Sequence, residues 1–135
     1  MKTTENTTTI CAIATSSGGA IGIIRISGAN AIPIADTIYR GRHSLSEATP
    51  YSIHYGAIYD GQNMLDQVIV SVFKAPNSYT GEDSVEISCH GSSYILQRIS
   101  DLLLENGCTM ASPGEFTMRA YINGKMDLSQ AEAVA

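Results

Sequence analysis

Apolar positions recur along the chain with a period of two in some stretches and of three to four in others, and their succession predicts the elements. Residues 84–89 alternate strictly. Val85, Ile87 and Cys89 fall on one side, and Ser84, Glu86, Ser88 and His90 on the other, as a half-buried strand requires. Residues 9–14 form a short apolar run, and residues 21–27 a second one beyond a turn containing Gly18 and Gly19. The pair predicts a hairpin whose loop is longer than two residues. Residues 51–59 alternate Tyr51, Ile53, Tyr55, Ala57 and Tyr59 against Ser52, His54 and Gly56. Asp60-Gly61 marks a turn, and residues 67–73 return with Val68, Val70 and Val72 on one side, a second hairpin. A last short strand is expected over residues 108–111.

Three stretches have the helical period. Residues 31–40 place Ile34 and Ile38 on one stripe, with Asn30 as N-cap, Pro33 in the first turn and Gly41 as the stop. Residues 92–106 carry Ile95, Ile99, Leu102 and Leu103 and end at Gly107. Pro113-Gly114 turns the chain into a short helix over residues 115–123, closed by Gly124 and followed directly by Lys125. Asp127 and Gln130 have the spacing of a capping box, so a further helix is expected to begin there and to run past the last residue. The fold class expected is α/β or α+β, with a mixed or antiparallel sheet of about five to six strands and two to three helices. The division expected is a disordered tail over residues 1–8, one domain over 9–124, and the start of a truncated helical domain over 125–135.

Composition narrows the class. A chain of 135 residues, 44% hydrophobic and 16% charged, reads as globular. It is long enough for a core without staples, and no apolar run approaches the roughly 20 residues of a membrane span. The first eight residues lack the apolar core of a secretory signal. Three scattered cysteines, Cys11, Cys89 and Cys108, argue against a disulfide framework or a zinc site and suit a reducing cytoplasm. A net charge of −5, with eight Lys and Arg spread singly, argues for little direct RNA binding by this piece alone.

The candidate chemistry sits on the strand over residues 84–89. Its polar face lines up a carboxylate, a hydroxyl and an imidazole behind a turn-rich segment, residues 76–83. That face is either simply wet or a functional cluster. Arg25 shares a strand face with Ile21 and Ile23, so its guanidinium needs an acceptor, from a structural ion pair or a ligand. The tyrosine row of residues 51–59 either packs in a core or interface or stacks on a ring-shaped ligand. His43 reads as a solvated loop histidine and His54 as exposed. There is no G-x-x-x-x-G-K-[ST] phosphate loop, no G-x-G-x-x-G, no H-E-x-x-H and no G-x-S-x-G. Cys89 and His90, adjacent on a strand, point to opposite faces and cannot pair as nucleophile and base.

Four blocks then carry a resemblance. Residues 21–28 read IGIIRISG, and residues 75–83 read APNSYTGED, followed by Glu86 and His90-Gly91. Further on stand Pro113-Gly114-Glu115-Phe116-Thr117 and Arg119-Ala120, then Asn123-Gly124-Lys125 with Asp127-Leu128 and Gln130-Ala131-Glu132-Ala133. In this order, over nearly the whole chain from Thr9, they resemble the start of the MnmE/TrmE tRNA-modifying GTPases. The resemblance implies a tetrahydrofolate-binding domain of the kind also found in glycine-cleavage T-proteins, and homodimerisation through it. It further implies a following helical domain with an inserted, potassium-stimulated GTPase domain that binds GTP and magnesium. With an MnmG-type FAD protein, such a protein forms 5-carboxymethylaminomethyl-type modifications at the wobble uridine of certain tRNAs. The folate, 5-formyltetrahydrofolate or a related form, would meet Arg25, Glu86 and Lys125.

The residues suit those roles. A reduced pterin presents neighbouring N–H donors that one carboxylate, Glu86, can accept as paired charge-assisted bonds. Arg25 and Lys125 are cations able to hold the pterin carbonyl or the anionic glutamate tail, in either assignment. The chain departs from the family pattern in its first turn, which is one residue shorter than Thr-Pro-Pro-Gly-Arg-Gly-Gly and lacks the arginine. It departs again at Ser92 after His90-Gly91 and at Tyr121, where a phenylalanine is usual. Three functions follow: a folate-binding, dimerising module, a dimerisation scaffold with a vestigial pocket, and a stand-alone folate-dependent transferase.

Overall fold

A computed structural model describes residues 8–15, 18–127 and 133. Among them the chain forms β1 (Ile10–Ile13), β2 (Ile21–Ser27), α1 (Ala31–Ile38), β3 (Tyr39–Gly41), β4 (Ser52–Asp60), β5 (Asn63–Phe73), β6 (Ser84–His90), α2 (Ser93–Glu105), β7 (Thr109–Met110) and α3 (Glu115–Ile122). One sheet holds the strands in the order β3-β4-β5-β6-β2-β1-β7. All pairings are antiparallel except β1 with β7. The mixed α+β class is as the patterning predicts. The sheet has seven strands, one more than the six apolar runs, because β3 has only three residues and no alternation long enough to read.

Strand registry explains why one face is core. Val72, Val85, Ile26 and Cys11 lie across from one another on successive strands, as do Val70, Ile87 and Ile24, and all seven have no exposed surface. Onto these rows α1 sets Ile32, Ile34, Ala35 and Ile38, and α2 sets Leu96, Ile99, Leu102 and Leu103. Gly22 leaves the space that the Leu96 side chain takes, since a Cβ there would lie 2.6 Å from Leu96 Cδ2. Ser92 caps α2 by accepting the Ile95 N–H at 3.0 Å, and Gly107 leaves the helix at φ 114°, a left-handed stop.

Several local expectations shift. The helix predicted over residues 31–40 ends at Ile38, because Tyr39 extends to pair with Ile58. Asn30 stands at its N-cap without a side-chain bond. On β4 the tyrosine side is the open one: Tyr51, Ile53 and Tyr55 are more than 60% exposed, while His54 turns to the inner face and is half-buried. The helix expected from Asp127 lies, beyond Asp127 itself, outside the described residues, apart from a helical Ala133, and residues 1–7 of the expected tail do likewise.

The outer face is covered at one end only. There α3 and the segment 74–83, which includes a cis Ala75–Pro76 bond, bury Ile10, Ser27, Ser84 and Thr80. The rest of that face presents Ile21, Ile53, Tyr55 and Ile69 to solvent.

Candidate functional site

β2 and β6 are neighbours, and their registry sets Arg25 opposite Glu86. Both project from the outer face, and Arg25 Nε donates to Glu86 Oε2 at 2.9 Å with each side chain about one third exposed (35% and 32%). The guanidinium carbon lies 6.0 Å from the Tyr79 ring centroid and 5.8 Å from that of Phe116. Segment 74–83 and α3 thus flank Arg25 from two sides. No described residue bonds its terminal nitrogens or Glu86 Oε1, which leaves a two-nitrogen fork and a carboxylate oxygen available to a ligand.

Lys125 arrives from a different element. α3 ends at Ile122, Gly124 follows at φ 74°, and the Lys125 N–H bonds Ala120 O at 2.8 Å. The side chain lines a cleft of about 290 Å³ with Tyr51, Phe73, Asn77, Ser78 and Tyr79. Tyr79 therefore belongs both to this cleft and to the Arg25 flank, and it is the residue that joins the two. The Tyr51 ring stands edge-on to Phe73 at 6.1 Å, from a backbone at φ 57° that a tyrosine adopts only against some strain.

Segment 74–83 is fastened to α3 by three contacts. Tyr79 Oη and Thr117 Oγ1 share a hydrogen bond at 3.0 Å, and Asn123 Nδ2 donates to Thr80 O at 2.9 Å. Buried Arg119 donates to both Glu82 oxygens at 3.1 and 3.2 Å, to Glu115 at 3.1 Å, and to Thr8 O and Oγ1 at 2.8 Å each. Glu82 also accepts from Ser27 Oγ at 2.7 Å, and Ser27 bonds Thr80 at 2.6 Å. Both terminal nitrogens of Arg119 and both oxygens of Glu82 thus meet partners, on β2, on α3, on the segment or at Thr8. Gly81, at φ 85°, lets the two elements close up, since a Cβ there would lie 2.8 Å from that of Asn123.

The structure brings together two of the three sequence candidates, Arg25 and Glu86, and sets the third in the adjoining cleft. Ser88 and His90 continue the same strand face away from them. His90 Nδ1 bonds Asp66 Oδ1 at 2.7 Å while its backbone N–H donates to Asp66 Oδ2 at 2.8 Å. Cys89 points inward beneath the sheet. Burial first, and then the charge of Asp66, push its thiol up to about 11, so it stays protonated near neutrality. Sequence reasoning missed Tyr79, Phe116, Thr117 and Asn123, whose roles depend on contacts between residues far apart in the chain, from 38 positions for Tyr79 with Thr117 to the reach of Phe116 across to Arg25. Among the described residues no group of His, Cys, Asp and Glu is placed to hold a metal ion, and no helix is long and apolar enough to cross a membrane.

The chain is similar to known proteins. The tRNA modification GTPase MnmE of Bacteroides fragilis is 62% identical over 133 residues, which is 96% of this chain and 29% of that protein. Proteins of the same name from Flavobacterium johnsoniae and Chlorobaculum tepidum are 56% and 50% identical, over 96% and 93% of this chain and 28% and 27% of theirs. The chain thus spans less than a third of the length of these relatives. Residues 9–125 match the family model described as the N-terminus of the GTP-binding protein TrmE, and the chain belongs to that family.

Proposed function

We propose that this chain is the folate-binding and dimerising part of a cytoplasmic tRNA modification GTPase, and that Arg25, Glu86 and Lys125 hold the folate. The observation that carries the reading is the Arg25–Glu86 pair, which is partly open, sits beside a cleft containing Lys125, and keeps a carboxylate oxygen and a guanidinium fork uncommitted. Glu86 accepts pterin N–H groups, and the two cations take the pterin carbonyl and the glutamate tail. Phe73, Tyr51 and Tyr79 supply apolar walls beside them. A bound tetrahydrofolate supplies a one-carbon unit, which the whole protein and an MnmG-type FAD partner use at the wobble uridine of tRNA to form 5-carboxymethylaminomethyl-type groups. GTP, magnesium and potassium act in the part of the relatives that this chain does not span. The exposed Ile21, Ile53, Tyr55 and Ile69 on the outer face support a second copy of the chain as the dimer partner.

Calorimetry of the 135-residue chain with 5-formyltetrahydrofolate tests the reading. Saturable binding that depends on Glu86 is expected, and no binding overturns it. The Arg25–Glu86 bond also favours a second reading, in which the two satisfy each other and the domain serves only to dimerise. That reading expects dimers with no folate heat.

A further inference from the structure

β3 pairs with β4 only where residues 39–41 face residues 56–58. Beyond Gly41 the chain leaves the sheet, and residues 52–55 of β4 form an open edge touched by the Tyr39 hydroxyl, which donates to Tyr55 O at 3.2 Å. A cavity of about 380 Å³ opens on this edge, lined by Tyr39, Arg42, His43, Ile53, His54 and Tyr55. One guanidinium and two imidazoles therefore surround it, with no carboxylate in the lining.

The charges here are uncommitted. Arg25, Arg98 and Arg119 each pair with a carboxylate, and Arg40 lies 4.1 Å over the Tyr59 ring and donates to Gly61 O. Arg42 and His43 bond no described residue. Asp36, the carboxylate that α1 brings toward Tyr39, is taken up by Ser44 Oγ, the Leu45 N–H and Ser46 Oγ. His54 is fixed more closely. Ser52 Oγ gives its proton to Thr49 O at 2.5 Å, so it accepts from His54 Nε2 at 2.7 Å. The neutral ring then carries its proton on Nε2 and has a lone pair at Nδ1.

We propose that this cavity is a binding site for a phosphate that carries a titratable proton, as a phosphate monoester does. The Arg42 fork and His43 meet the phosphate oxygens. His54 Nδ1, left with a lone pair by the Nε2 bond to Ser52, accepts the P–O–H hydrogen of the bound monoester. A phosphodiester has no such proton and leaves the Nδ1 lone pair facing its oxygens. The volume exceeds that of a bare phosphate group and leaves room for the esterified part.

The test titrates the 135-residue chain with adenosine 5′-monophosphate, inorganic phosphate and dimethyl phosphate, following the imidazole signals of His43 and His54 by NMR. Saturable shifts with the monoester are expected, with affinity at least tenfold weaker in Arg42→Ala and partly retained in Arg42→Lys. Dimethyl phosphate is expected not to bind. Inorganic phosphate binding as tightly as the monoester supports the site and assigns it to the free anion. The proposal is overturned if neither phosphate shifts these histidines, if Arg42→Ala binds unchanged, or if the diester binds as well as the monoester. Arg42 is exposed and its side chain bonds no described residue, so its variants are expected to keep the fold, and a proton spectrum of each checks it.

Discussion

Glu86 accepts from Arg25 while about a third of its side chain stays open, so its two possible roles separate on one substitution. A pair this exposed contributes about 0.2–1 kcal/mol to stability. A charge-assisted bond to a pterin is worth roughly 1.5–3 kcal/mol, or about 10- to 150-fold in affinity. Glu86→Gln is therefore expected to weaken folate binding by that factor and to lower stability by less than about 1 kcal/mol. Calorimetry and urea denaturation on the same variant check both, and unchanged affinity removes Glu86 from the site. Asp36 makes the matching case for pH. Burial works to raise its pKa, but the bonds from Ser44, Leu45 and Ser46 outweigh it, and the net shift is downward from 3.8. A carboxylate lowered on folding stabilises fully above its unfolded value, and that contribution is lost as the pH falls below 3.8 through the lowered folded value. Asp36→Asn is accordingly expected to be less stable than the parent at pH 6 and to approach it toward pH 2, as thermal melts at both values will show.

At the scale of elements, the joint between segment 74–83 and α3 decides whether the site exists. Its centre is Arg119, with a side chain 3% exposed against 12% for Glu82. Removing one partner of such a pair leaves a buried charge without compensation and costs about 3–5 kcal/mol. Against the 5–15 kcal/mol typical of a domain, that is a large share. Arg119→Ala is expected to lose that much in urea denaturation. Loss below about 1 kcal/mol shows that α3 is held by other contacts. The cluster holds the two elements that flank Arg25, and α3 leads directly into Lys125. Partial loss of α3 is therefore expected to weaken folate binding before the sheet itself unfolds.

For the whole molecule, the exposed apolar outer face and the proposed dimer belong together. Sedimentation is expected to show a symmetric dimer at about tens of micromolar, and Ile53→Lys, at a residue 73% exposed, is expected to shift it toward monomer with its melting temperature unchanged. A monomer throughout that range counts against the dimer. With no phosphate loop in its sequence, the chain is expected neither to bind nor to hydrolyse GTP, and measurable turnover by a pure preparation refutes this.

Much of this architecture is legible in period alone. The inward rows of Val68, Val70 and Val72 and of Val85 and Ile87 follow from alternation, because only one face of such a strand can be apolar. The stripe of α2 follows in the same way from the helical period. Arg25 and Glu86 could be placed on strand faces, and the family motifs pointed to them and to Lys125. What the sequence by itself determined was thus the elements, their apolar faces and the types of the candidate residues, all of which depend on neighbours a few positions away. That Arg25 stands opposite Glu86, that Tyr79 joins the Arg25 flank to the cleft of Lys125, and that Ile53 and Tyr55 face solvent while His54 turns inward were decided only by tertiary structure. Strand order and the docking of α3 bring together residues up to 111 positions apart, as in the bond from Arg119 to Thr8. Such contacts form by packing and charge satisfaction across the fold, and no local period encodes them.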